Sequence, residues 1–329
     1  MASAQSLANK TYWEAAAELG PLTPEAMIER VDIRWTPLSA EPGGVDYLEV
    51  DAGGIRAMWV RPKGAADDRV IFYAHGGGFV SGSIYTHRKI VGHLAKAAGS
   101  RALLFEYPYA YAQKYPAQLN ATVAAYSWLL AEGVAPEHIA VAGDSAGAIL
   151  TFGLLQQARN NRMPLPAAVM ILSGWLELAL SAPSFETNRE KDAFFTRDVV
   201  GWLASNFLGD GDPHDALASP LYADLKGFPP IFLQAGGDEA LIKGDVAETL
   251  RKLKEEGGGA IVKYGVTQLD RTLLESRLVD EYKLWLLPTR GGSGKRAFED
   301  IDMAAQPDLE LTDVRRFANG GVILSYLPH

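Results

Sequence analysis

The chain has no cysteine among its 329 residues. Disulfides, thiol nucleophiles and thiolate metal sites are therefore excluded. Histidine is scarce too, with six copies, at positions 75, 87, 93, 138, 214 and 329. Positive charge is in deficit: 31 Lys and Arg stand against 40 Asp and Glu, a formal net charge of −9. That sign speaks against a general nucleic-acid binder or a protein held on an anionic membrane. Long apolar runs are missing. The most apolar stretch, Ala167 to Leu180, is broken by Ser173, Gly174 and Glu177 and is too short to span a bilayer. The opening residues, MASAQSLANKTYWEAAAELG, do not follow a basic stretch with an apolar one. They do not read as a signal peptide, so a cytoplasmic protein is expected.

What is present is ordinary globular material, 48% hydrophobic and 22% charged. At about 150 residues per domain, the length allows two domains or one large α/β domain. Thr23-Pro24-Glu25 is a helix start: a capping hydroxyl, a proline, then an acid. From about residue 46, strands and helices alternate. Val70 to Ala74, Ala102 to Tyr107, Ile139 to Ala142, Ala167 to Leu172 and Ile231 to Gln234 are short apolar runs that read as buried strands. Thr86 to Ala98, Ala117 to Glu132, Ala148 to Arg159 and Asp245 to Glu256 read as helices. Continuous apolar strands between helices imply a mostly parallel sheet covered on both faces. Residues 181 to 222 are polar, aromatic and irregular, an insertion over the sheet.

Two motifs carry chemistry. Gly143-Asp144-Ser145-Ala146-Gly147 lies between an expected strand and an expected helix, the context of a nucleophile elbow. A serine hydroxyl is a weak nucleophile unless it is exposed, held still and deprotonated by a neighbour. A sharp strand-to-helix turn exposes it, and the helix N-terminus behind it favours developing negative charge. The plainer alternative is a glycine-rich turn with an incidental serine. His75-Gly76-Gly77-Gly78-Phe79 follows an earlier strand. A glycine run there lets backbone N–H groups point into a cleft, as an oxyanion hole requires. A phosphate-binding loop of the Walker kind would end in Gly-Lys-Ser/Thr, which is absent. A weaker third element is Gly236-Gly237-Asp238-Glu239, after the strand Ile231 to Gln234. A carboxylate there can orient an imidazole, although an aspartate in such a turn is often only a cap. Its place fits the chain order Ser, Asp, His.

Residues 46 to about 256 resemble the hormone-sensitive-lipase-like branch of the α/β-hydrolase esterases. The matching stretches are HGGGFVSGS, GDSAGA, LASPLYADLKGFPP and LQAGGDEAL. The resemblance implies an α/β-hydrolase core over 46–259, with a helical cap built from residues 1–45 and the insertion at about 181–215. It implies Ser145 as nucleophile, Asp238 as the acid, and the N–H groups of Gly77, Gly78 and Ala146 as the oxyanion hole. It also implies hydrolysis of short to medium acyl esters without a cofactor or metal. Two departures stand out. Where the family usually has a Tyr-Arg-Leu-Ala-Pro-Glu type of stretch, this chain has Tyr107-Pro108-Tyr109-Ala110-Tyr111-Ala112-Gln113. The family's catalytic His follows the Asp by some thirty residues, yet no His occurs between His214 and His329.

After Gly259 the texture changes. AIVKYGVTQLDRTLLESRLVDEYKLWLLP, GSGKRAFED and LELTDVRRFANGGVILSYLP resemble the end of the dihydrofolate-reductase-like domain of riboflavin-biosynthesis reductases. The first half of that domain is absent, so no nicotinamide binding is expected. The chain reads as a hydrolase whose last strand, His loop and helix are exchanged for another protein's end, residues 260–329. Ala260 to Tyr264 is expected to complete the parallel sheet. Leu269 to Leu278 is expected to form a helix, and Glu281 to Pro328 two or three antiparallel strands. They would lie beyond the sheet edge or pair with another molecule, so a homodimer through the sheet edge or the tail is a possible assembly.

The histidines offer no obvious base. His75 is expected to shape the glycine loop, and His87 and His93 lie on different faces of a helix. His138 is expected to be solvated, His214 to sit in a turn and His329 to be a frayed terminus. His329 is the remaining candidate for the missing base. Two readings follow: a serine esterase impaired by the missing His, or a hydrolase-fold protein that binds without turnover. The expected partner is a small-molecule ester, with no nucleic acid and no membrane.

Overall fold

The structure is a computed structural model. It describes residues 23, 26, 31, 33, 36–192, 194–235, 239, 251, 254–255, 273–274, 276–286, 308–317 and 320–329. The described residues up to Glu239 belong to one unit and those from Arg251 onward to a second. Among the described residues, no helix is long and apolar enough to cross a membrane.

Among the described residues, the larger unit is built on a seven-stranded sheet. In chain order its elements are β1 (Val45–Asp51), β2 (Arg56–Pro62), β3 (Ala66–Ala74), α1 (Ile84–Ala98), β4 (Ser100–Phe105), α2 (Ala117–Ala131), β5 (Ile139–Asp144), α3 (Gly147–Asn160), β6 (Ala168–Leu172), α4 (Ser184–Thr187), α5 (Arg197–Leu208) and β7 (Ile231–Gln234). The strand order is β1-β2-β4-β3-β5-β6-β7. From β4 to β7 every neighbour is parallel, while β1 and β2 are antiparallel to their neighbours. The expected strand at Ala102 to Tyr107 is corrected to end at Phe105. The β1–β2 hairpin escaped the sequence reading. Its turn places Gly53 and Gly54 at φ +71° and +88°, the conformation a tight hairpin turn needs and glycine supplies at no steric cost.

Alternate residues of the central strands feed opposite faces. Phe72, Leu103 and Phe105 pack with Tyr126 and Leu129 of α2 and Ile149 and Leu150 of α3. Their chain neighbours Tyr73 and Leu104 pack instead with Ile84, Val91 and Ala95 of α1. That alternation is the period of two of a strand buried on both sides. Ser83 caps α1 in a capping box with Thr86, and Gly99 closes the helix in the left-handed conformation. The chain runs from β3 to β4 in one direction along the sheet and from β4 across to β5 in the other. Strand order therefore reverses here, and the carboxyl ends of β3 and β5 flank the crevice where open α/β sheets hold their ligands.

The smaller unit is a three-stranded antiparallel sheet of β8 (Tyr282–Leu286), β9 (Leu309–Arg316) and β10 (Val322–Pro328), in the order β8-β10-β9. Three antiparallel strands between Glu281 and Pro328 agree with expectation. Two other expectations meet the limits of the described residues. A strand at Ala260 to Tyr264 and the helix at Asp245 to Glu256 lie largely or wholly outside them. Leu273 and Leu274 are helical and buried, but residues 276–277 already form a turn with Arg277 at φ +50°, so the helix does not reach Leu278. His329 is not frayed: its N–H donates to Asp308 O at 2.8 Å and its Nε2 lies 3.1 Å from Glu310 Oε2.

Candidate active site

Ser145 stands between β5 and α3 at φ +49°, a conformation few residues other than glycine adopt. Strain of this sort persists only where the surroundings over-determine it. Ser145 N–H donates to Leu172 O at 3.1 Å, and its carbonyl accepts from Ala148 N at 3.1 Å and Trp175 N at 2.9 Å. Gly147 fits against the end of β3, where any Cβ would collide with the Ala74 carbonyl. The turn is thus pinned to both flanking strands, and α3 starts directly behind the hydroxyl. Among the described residues, nothing hydrogen-bonds to Ser145 Oγ.

The glycine loop after β3 lies beside this turn. Gly77 is at φ +118° and Gly78 at φ +61°. A side chain at Gly77 would meet the Ser81 carbonyl, and one at Gly78 would come 2.7 Å from a Leu203 methyl of α5. Gly77 O accepts three bonds, from Val80 N at 3.1 Å, Ser81 N at 3.0 Å and Ser81 Oγ at 2.9 Å. That fixes the loop with its amides turned the other way. The N–H groups of Gly77, Gly78 and Ala146 have no partner among the described residues. Free amides beside a half-buried serine can accept developing negative charge on a carbonyl oxygen. The insertion closes over this loop: Phe207 of α5 stacks on Phe79 with ring centroids 3.8 Å apart. The tyrosines of the atypical stretch fasten it from below. Tyr107 donates to His75 O at 2.7 Å, and Tyr109 to Gly82 O.

A set of polar groups missed by the sequence reading joins the two motifs. Asp144 Oδ1 accepts from Tyr73 Oη at 2.9 Å and from Gly76 N–H at 3.0 Å, and Oδ2 faces His87 Nε2 at 3.5 Å. Gly76 has no room for a Cβ because Asp144 fills that space. His75 Nε2 faces Glu106 Oε2 at 3.5 Å, and Glu106 accepts from Ile84 N at 3.0 Å. Burial pushes the Asp144 carboxyl up, but the His87 imidazole and the Tyr73 hydroxyl outweigh it, and its pKa lies below the ordinary value. Glu106 is lowered in the same way, against burial, by His75. The hydroxyls of Tyr73 and Tyr107 are raised well above the usual tyrosine value, first by burial and then by Asp144. Asp144 stands in the nucleophile motif itself, the one signal that hinted at its role.

This arrangement predicts an acid-sensitive brace. The folded pKa of Asp144 lies below an unfolded value of about 3.9. Its stabilisation is therefore complete above that value and lost as pH falls through the folded pKa. Asp144→Asn is expected to cost about 1–3 kcal/mol at pH near ~7, as a buried acceptor loses its partners. The gap between the two proteins should shrink towards pH ~3. Urea midpoints at the two pH values measure it, and a gap that stays constant would contradict the assignment.

The candidate acid Asp238 lies outside the described residues. Its neighbour Glu239 is held from two sides: Ser173 Oγ donates to Glu239 Oε1 at 2.7 Å, and Asn188 Nδ2 to Glu239 O at 2.9 Å. Ser173, at φ +46°, follows β6 directly, next to the strand that leads to Asp238. The histidines are engaged elsewhere. His75 and His87 belong to the brace, and His75 Nδ1 also contacts Gly76 O at 2.7 Å. His93 contacts Ala40 O, and the half-exposed His138 contacts Asp68. His214 sits in a turn closed by its N–H on Asp212 Oδ1. His329 is held by Glu310. Among the described residues, no group of three or more His, Asp or Glu side chains is placed to hold a metal ion.

Comparison with known proteins agrees with this fold. Residues 71–265 match the model of the alpha/beta hydrolase fold family. Residues 223–323 match the RibD C-terminal domain, so the end of the chain is similar to that domain. An acetyl-hydrolase of Streptomyces hygroscopicus is 37% identical over 204 residues, 62% of this chain and 67% of its own. An esterase of Acinetobacter venetianus is 31% identical over 213 residues, 64% of this chain and 69% of its own. Among solved structures, an esterase from the bacterial hormone-sensitive lipase family superposes with a TM-score of 0.70 at 38% identity, over 73% of this chain and 81% of that one. An esterase/lipase from an uncultured bacterium gives 0.72 at 31% identity, over 80% and 88%. On the sheet order, the elbow and these matches together, the chain belongs to the α/β-hydrolase fold family.

Proposed function

We propose that the protein is a carboxylic ester hydrolase for short to medium acyl esters, with Ser145 as nucleophile and a defective proton-transfer apparatus. The observation that carries this reading is the left-handed, half-buried Ser145 at the start of α3, beside three amides that have no partner among the described residues. Ser145 Oγ attacks the ester carbonyl carbon. The displaced electron pair moves onto the carbonyl oxygen, which the N–H groups of Gly77, Gly78 and Ala146 receive. Collapse of this intermediate breaks the bond to the alkoxy group, which leaves as an alcohol with the proton that the serine gave up to solvent. Water then cleaves the acyl–serine ester, its hydroxyl leaving in the carboxylic acid and its proton restoring the Ser145 hydroxyl. Asp238 is the residue that would orient an imidazole. The names of the relatives, an acetyl-hydrolase and an esterase, support a short acyl group.

One observation favours a second reading, a binding protein without turnover: each of the six histidines has another partner. Hydrolysis of p-nitrophenyl acetate by wild type and Ser145→Ala separates the two. The ester-hydrolase reading expects a weak but saturable wild-type rate that falls to the uncatalysed background in Ser145→Ala. Equal rates in the two proteins would remove Ser145 from the chemistry and leave binding as the function.

A further inference from the structure

The second unit has an edge that the proposed hydrolase reaction does not use. Among the described residues β9 pairs with β10 alone, and all eight of its residues are exposed. Its outer edge therefore presents a row of backbone N–H and C=O groups, the template on which another strand pairs. Natural edges are blunted by proline, by charged side chains and lysine above all, by bulges or by brevity, whereas charges of both signs can instead be matched by a partner strand. Leu309-Glu310-Leu311-Thr312-Asp313-Val314-Arg315-Arg316 contains neither proline nor lysine and is the longest strand of its sheet.

We propose that β9 pairs with β9 of a second copy of this chain, antiparallel, in the register that sets Leu311 opposite Val314 of the second copy. The reason is the strand's own pattern. In that register Glu310 faces Arg315 of the second copy, and Arg315 faces Glu310 in return. Leu311 and Val314 meet across the seam, also twice. Opposite charges and apolar pairs directly across a seam are the favourable cross-strand combinations. A contact that reads the same from both sides is what a two-fold dimer requires. A foreign strand would need no such palindrome, which is why a second copy is the occupant.

A bulge makes the register possible. In a regular strand, residues an odd number apart point to opposite faces, and Leu311 would then miss Val314. Here Asp313 pairs with Ser325 and Leu311 with Tyr326, so Thr312 is an extra residue on β9. Its hydroxyl donates to Ser325 O at 3.2 Å. The bulge resets the alternation. Leu309, Leu311, Val314 and Arg316 lie opposite Pro328, Tyr326, Leu324 and Val322, and so share one face. Glu310 and Arg315, opposite Leu327 and Ile323, share the other. Both facing pairs thus sit on matching sides of the seam. Glu310 also contacts His329 on the β10 side, and Arg315 lies over the Phe317 ring, which preorders both charges.

Sedimentation velocity of the full-length chain over a concentration series tests the pairing. Wild type is expected to associate to a dimer. Glu310→Arg and Arg315→Glu each set like charges opposite one another twice, and each is expected to weaken association about tenfold. The double reversal Glu310→Arg/Arg315→Glu restores the pairs and is expected to return the wild-type constant. All these residues are exposed, and circular dichroism verifies that each variant is folded. A wild type that stays monomeric overturns the proposal. So does association through another surface, seen as a dimer indifferent to both single reversals, or a folded double reversal that fails to recover it. None of these outcomes depends on esterase activity.

Discussion

Hydrolysis of a short-chain p-nitrophenyl ester by the wild-type protein is expected to be slower by about 10⁶-fold than by a relative with a complete triad. In a serine hydrolase the base and the nucleophile act as one unit, and losing the base alone costs about 10⁶ in kcat. Amides and binding by themselves still leave about 10³–10⁴ over water. The proton of Ser145 Oγ needs an acceptor within about 2.6–3.2 Å, directly or through one water. The family resemblance implies the base at about residues 265–270, a stretch outside the described residues that holds Thr267, Gln268 and Asp270. Neither Thr nor Gln takes a proton at neutral pH, and an ordinary Asp, with a pKa of about 3.9, is a poor base. His329 has the right chemistry, but it closes β10 through Asp308 and Glu310. His329→Ala is therefore expected to leave the residual rate within about twofold, since its solvated imidazole is already held by Glu310. A wild-type kcat near the enzyme median of about 10 s⁻¹, abolished by His329→Ala, would show that the terminal histidine is the base.

Gly147→Val is expected to lower stability by about 3 kcal/mol or more and to abolish reaction at Ser145. A Cβ at this position collides with the Ala74 carbonyl, and its other close neighbours are the Ala74 carbonyl carbon at 2.8 Å and the His75 carbonyl oxygen at 2.9 Å. All three are backbone of the strand end and loop that carry the free amides, so none moves aside by changing rotamer. Overpacking of this kind costs about 1–3 kcal/mol, occasionally more. For a domain of this size that is a fall of roughly 6–12 °C in Tm. Thermal unfolding reads the first effect and probe labelling the second. A variant with wild-type Tm and wild-type labelling would mean that β5 and β3 do not hold the turn together.

Much of this architecture was legible in the chain because the signals are local. The runs Val70 to Ala74 and Ile139 to Ala142 are apolar, β-branched in part and followed by glycines, so both strands and the turns after them could be placed. Ser145 and the Gly77-Gly78 pair stood out because each lies in a short glycine-rich motif just after an apolar strand. The Asp144, Tyr73, His87 and Glu106 brace was not legible. Its members lie on two strands, a helix and the residue after β4, up to 71 positions apart, and the parallel pairing of β3 with β5 helps bring them together. The β1–β2 hairpin was missed for a different reason. Its outer strand alternates half-buried with exposed residues at a sheet edge, a weaker pattern than the unbroken apolar runs beside it. The fate of His329 depended on the pairing of β10 with β9, which no feature of a terminal histidine announces.

The most direct test of the central claim is the site of covalent reaction. The full-length protein is incubated with a fluorophosphonate probe, digested, and the adduct mapped by mass spectrometry beside the Ser145→Ala variant. The account predicts one adduct, on Ser145, formed slowly because no base among the described residues is placed to withdraw its proton, and none on the variant. An adduct on another residue, or equal labelling of both proteins, would contradict it.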